Sequence, residues 1–133
     1  MLLVEAKANI EEIKSKCEAT SDRSIEKMRK AFVDVKRKLG VPEPPDWMQG
    51  YYQAANRIAT LHFILEVNKR RVPARLLFIY FVGDVGDDGR TCPQTDDEWR
   101  PALREQDGHL GLSTDHALAD RVHKLFLPVC EQA

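Results

Sequence analysis

Glu5 and Lys7 stand two residues apart in Val4-Glu5-Ala6-Lys7, a spacing that sends both side chains to one face of an extended strand. Charged groups in an otherwise apolar strand are costly to bury unless they are paired or ligated. A carboxylate beside a lysine can hold Mg²⁺ and set a cation near an attacking water or a scissile phosphate; the structural alternative is a strand-end salt bridge. Asp84, Asp87 and Asp88 alternate with Gly83, Gly86 and Gly89 after a hydrophobic run, but they match neither an EF-hand, a P-loop nor a dinucleotide fingerprint, so a solvated acidic turn is expected. His116, Asp120 and His123 fall at i, i+4 and i+7 with no fourth ligand, and no zinc site is expected from them. His62 is expected to be a hydrogen-bonded core residue. Cys17, Cys92 and Cys130 show no CxxC spacing and read as free thiols of a reducing, cytoplasmic compartment.

These side chains need elements to carry them. Met1 to Ala8 opens with an unbroken apolar run and reads as a strand, and its abrupt start looks cropped. Asn9 is placed to cap a short helix reaching Cys17. Ile25, Met28, Phe32, Val35 and Leu39 recur at steps of three and four, while Lys27, Arg29, Lys30, Lys36, Arg37 and Lys38 occupy other faces; Gly40 and the prolines after it end that helix. Asp46 is expected to cap a third helix running to about Val67 and apolar nearly all round, as suits packing across a sheet. Ala74 to Val82 is the main strand. Thr95-Asp96-Asp97-Glu98 is a capping box opening a helix to about Glu105, and a looser helix is expected over roughly Thr114 to Arg121. Val122 to Val129 is a last strand, which Pro128 assigns to a sheet edge.

The chain has 133 residues, 43% hydrophobic and 31% charged, with 20 basic and 21 acidic side chains, the balance of a single ordinary domain. No apolar run approaches the ~18–20 residues of a membrane span. The near-zero net charge hides a split: residues 1–83 hold 15 Lys and Arg against 10 Asp and Glu, residues 84–133 hold 5 against 11. Two halves that attract each other across one fold account for this, and so does a nucleic-acid surface on the basic half, where Lys69-Arg70-Arg71 would join the helix lysines.

Val4-Glu5-Ala6-Lys7 on a strand, a crossover helix carrying Gln49, Tyr51, Tyr52 and Gln53, and a hydrophobic strand at Ala74–Val82 together resemble the PD-(D/E)XK nuclease superfamily. The resemblance covers most of the chain but rests on E-x-K and the element order. It implies a three-layer, restriction-endonuclease-like α/β fold: a small mixed sheet flanked by helices, N-terminally shortened, in one domain over residues 1–133. By carry-over, Glu5 is a metal-binding carboxylate, Lys7 the catalytic lysine, and the Ala6 carbonyl a further ligand of Mg²⁺. Gln49 or Gln53 corresponds to the glutamine that several branches of the family place on the following helix. The family's metal-binding aspartate, on the strand before E-x-K, has no counterpart here. The resemblance therefore implies a divergent protein of DNA or RNA whose Mg²⁺-dependent phosphodiester hydrolysis is impaired or lost; the alternative is a non-catalytic dimeric interaction module. An uncovered hydrophobic edge at Met1–Val4 would invite a second copy, giving a homodimer through the N-terminal strand.

Overall fold

The computed structural model describes residues 1–42, 46–68, 72–86 and 89–130. Three strands, β1 (Leu2–Lys7), β2 (Arg75–Val82) and β3 (Val122–Pro128), form one sheet in the order β1-β2-β3. Three helices accompany them: α1 (Asp22–Leu39), α2 (Tyr52–His62) and α3 (Asp96–Leu110). Both strand pairs are parallel, so the sheet is parallel and not mixed. Each strand is joined to the next through helix, and such crossovers return the chain to the same end of the sheet. The expectation of an α/β chain holds, and Pro128 does sit on an edge strand.

The helices differ from expectation mainly at their ends. Asn9 accepts the Glu12 N–H as predicted, but the segment it caps is a single 3₁₀ turn, Ile10–Ile13. The chain then runs alongside the segment before α2, with the Ser15 N–H on the Gly50 carbonyl at 2.6 Å and the Cys17 N–H on that of Met48 at 2.9 Å. Asp46 does not start α2. Its carboxylate takes the Met48 N–H at 2.9 Å in a local turn, and Gly50 at φ 84° breaks the helical path, so the helix begins only at Tyr52. Its far end loosens into a π turn, Phe63–Val67. In α3 the Thr95 hydroxyl caps the Glu98 N–H as the sequence indicates, and the helix continues to Leu110, where Gly111 at φ 73° closes it. The helix expected over Thr114 to Arg121 is reduced to one 3₁₀ turn, Ala119–Arg121.

The helices stand on one side of the sheet. Along β1 and β2, Leu3, Glu5, Lys7, Leu76, Phe78 and Tyr80 face them, and across β3 so does Phe126. Tyr80 lies between Trp99 of α3 and Phe126, with ring centroids 5.0 and 5.7 Å away. Trp99 donates its indole N–H to the Phe81 carbonyl at 2.8 Å. Helix α1 packs on the outside of this layer, through Phe32 against the rings of Trp47 and Tyr52. The expected arrangement of helices flanking both sides of the sheet is thus not formed: successive crossovers of one hand, advancing in one direction, put their helices on one face.

Candidate functional site

Period-two alternation along β1 brings Glu5 and Lys7 to the helix-facing side, opposite Phe78 and Tyr80 in register. Their side chains are 12% and 11% exposed, and Lys7 Nζ lies 3.0 Å from Glu5 Oε1. The other carboxylate oxygen, Oε2, accepts Nε of Arg57 at 2.7 Å. Lys7 also donates to the Gln53 side-chain oxygen at 2.5 Å. Gln53 and Arg57, one turn apart on α2, therefore reach the same strand, and the backbone N–H of Gln53 is fixed on the Ser15 hydroxyl at 2.9 Å. Four residues make one connected network.

Burial alone would raise the Glu5 carboxyl, but hydrogen bonds and charge from Lys7 and Arg57 outweigh it and hold the group below its ordinary value. One negative and two positive groups leave the network with a surplus cation. The void enclosed beside it, between Ala54, Phe78, Tyr80 and Gln106, measures about 10 Å³, room for a single water at most. Tyr80 shares a hydrogen bond with buried Gln106, and burial raises its phenol far above the usual range, so it stays neutral. On the other side of Phe78 and Gln106 lies a larger cavity of about 300 Å³, bordered by Ile58, His116 and the Lys124–Asp107 ion pair at 2.8 Å.

Of the residues singled out in the sequence, the structure unites Glu5, Lys7 and Gln53. Gln49 stands apart: it is exposed in the turn before α2, and its backbone carbonyl meets His109 Nε2 at 3.0 Å. Ala6 pairs with Ile79 in the ladder and turns its side chain to the opposite face. Arg57 was not anticipated, although its i, i+4 spacing from Gln53 was a usable signal. Nor was Gln106, for which the sequence offers none.

The donor set can be tested against Mg²⁺ directly. A divalent ion bound through oxygens would have to displace Lys7 and Arg57 from the one carboxylate available. Among the described residues, no three His, Cys, Asp or Glu side chains converge where a metal ion could sit. The arrangement does not fit a magnesium centre.

The remaining candidates separate. His123 lies on β3 beside Arg75 at 2.9 Å, whereas His116 Nδ1 accepts the Leu118 N–H. Cys92 is held high by burial and by the charges of Asp84 and Glu11, which suppresses its thiolate. His62 is buried as expected, but its Nδ1 has no hydrogen-bond partner among the described residues, and burial lowers its pKa, keeping the ring neutral. Lys36 does not belong to the outward basic face. It is buried, with its ammonium 5.6 Å from the centre of the Trp47 ring. Asp87, Asp88 and Lys69-Arg70-Arg71 lie outside the described residues.

No family model, curated protein or solved structure matches the chain. No described helix is long and apolar enough to cross a membrane.

Proposed function

We propose that the chain is a divergent PD-(D/E)XK-like protein that contacts the phosphate backbone of DNA or RNA through Arg57, the exposed edge of the Glu5–Lys7–Gln53 network, and no longer carries out metal-dependent hydrolysis. The observation that carries this reading is the pair of contacts that occupy both Glu5 oxygens while Lys7 reaches Gln53 on the following helix. A strand bearing E-x-K, a helix bearing glutamine and a parallel strand after it keep the order that suggested the family. The surplus positive charge suits a phosphate, since Arg presents a planar donor fork. A backbone contact of this kind orients nucleic acid without reading its sequence.

The test is fluorescence anisotropy with labelled single- and double-stranded oligonucleotides, run beside a cleavage assay in Mg²⁺ and Mn²⁺. Binding should weaken as salt rises, and Arg57→Ala should weaken it further, with the oligonucleotide left intact. Cleavage that depends on the metal and disappears in Lys7→Ala would overturn the loss of hydrolysis. Absence of binding at roughly 50 mM salt, where backbone contacts are strong, would leave the non-catalytic interaction module. That second reading is favoured by the apolar side of the sheet described next, whether it is met by a homodimer or by another partner.

A further inference from the structure

The side of the sheet away from the helices is apolar, and among the described residues nothing covers it. It presents Leu2, Val4 and Ala6 from β1, Leu77, Ile79 and Phe81 from β2, and Leu125 and Leu127 from β3. Leu2 is 59% exposed, Val4 48% and Leu125 42%, while the β2 residues are partly shielded by their neighbours. Parallel sheets are ordinarily buried on both faces, because a strand apolar on both sides loses stability to water on either one. Contiguous apolar surface of this kind marks a contact.

Its dimensions limit the occupant. Three strands at the usual spacing of ~4.8 Å, six residues long at ~3.3 Å each, make a strip ~10–14 Å wide and ~20 Å long. An α-helix is ~10–12 Å across and covers ~20 Å in about 14 residues. That footprint is roughly 200–300 Å², well short of the ~800 Å² per partner found in stable dimers. The strip therefore suits one helix better than a second copy of the whole chain.

Charge fixes the direction. The polar groups of this face are Arg75 and His123, joined at 2.9 Å at the end where β2 and β3 begin. A helix running against the strands brings its C-terminus, the negative end of its dipole, to the Arg75 guanidinium.

We propose that the outer face of the sheet docks a single amphipathic helix of about 14 residues, antiparallel to the strands, with an apolar stripe and an acidic last turn. The probes are synthetic 14-residue helical peptides: one with a Leu/Ala stripe and glutamates in its last turn, one with lysines there, and a scrambled control. The full chain should bind the glutamate peptide at least tenfold tighter than the lysine peptide in an anisotropy titration. Val4→Lys and Leu125→Lys, both at exposed positions, should each weaken binding at least tenfold while the circular-dichroism melting curve stays in place, and Leu125→Gln serves if a lysine variant fails to fold. No saturable binding, equal binding of the scrambled peptide, or unchanged binding in both lysine variants would overturn the proposal. So would sedimentation showing a dimer that Leu125→Lys dissociates, since a second copy would then hold the face.

Discussion

The two faces of this small sheet reverse the usual distribution of side chains. The face turned to the helices holds Glu5 and Lys7 close to fully buried, and the face turned to solvent holds Leu2, Val4 and Leu125. On the inner face charge is tolerated because Arg57 and Gln53 complete it; a lone buried ion would cost several kcal/mol. On the outer face nothing within the described chain offsets the exposure. Each departure from the ordinary pattern has its own physical resolution, a closed ion network in one case and a docked partner in the other.

The comparison is tested hardest at the aromatic centre of the inner face. Trp99→Ala removes the ring against Tyr80 and the bond to the Phe81 carbonyl, and should cost about 4 kcal/mol in urea denaturation. A loss of only about 0.5 kcal/mol, the ordinary size of a surface change, would show that the helices do not seal that face. Next comes Glu5→Gln, which strands Lys7 and Arg57 in a mostly buried place and should cost about 2 kcal/mol, reduced from the fully buried case because Arg57 is 39% exposed.

The same residue gives a pH signature. Its folded carboxyl lies below the ordinary 4.5, so its contribution is complete above that value and is lost as pH falls through the folded pKa. Denaturation midpoints followed below pH 4.5 should fall less steeply in Glu5→Gln than in wild type. His62 acts in a milder range. Burial disfavours its protonation, so stability should decline as pH drops below 6.5, and His62→Leu should remove part of that decline. The smallest effect is expected outside: Leu125→Lys should shift stability by no more than about 0.5 kcal/mol and reduce binding of a hydrophobic dye. A large loss there would mean that the outer face is already covered.

Much of the frame was legible in the sequence because it is encoded locally. The steps from Ile25 to Leu39 define α1, Gly40 ends it, and the Thr95 hydroxyl caps α3 through the Glu98 N–H as the capping-box spacing indicates. Glu5 and Lys7 could be paired because period two is a property of any strand. The choice of Gln53 over Gln49 could not be made, since it depends on Gly50 delaying the helix to Tyr52. Arg57 reaches Glu5 across 52 residues of chain, and only its i, i+4 spacing from Gln53 hinted that the two share a helix face. The dense apolar runs of β1 and β2 read alike whether the second face is packed or bare, and only the two like-directed crossovers decide that the helices share one side.

Glu5 is closed to metal by its two cations, and calorimetric titration of Mn²⁺ into wild type, Arg57→Ala and Glu5→Gln is the experiment that decides it. Wild type and Glu5→Gln should give no heat above dilution, and Arg57→Ala should stay equally silent, because Lys7 still holds the one carboxylate and no second carboxylate converges on it among the described residues. Saturable heat in wild type that vanishes in Glu5→Gln would contradict this closure and restore the magnesium site.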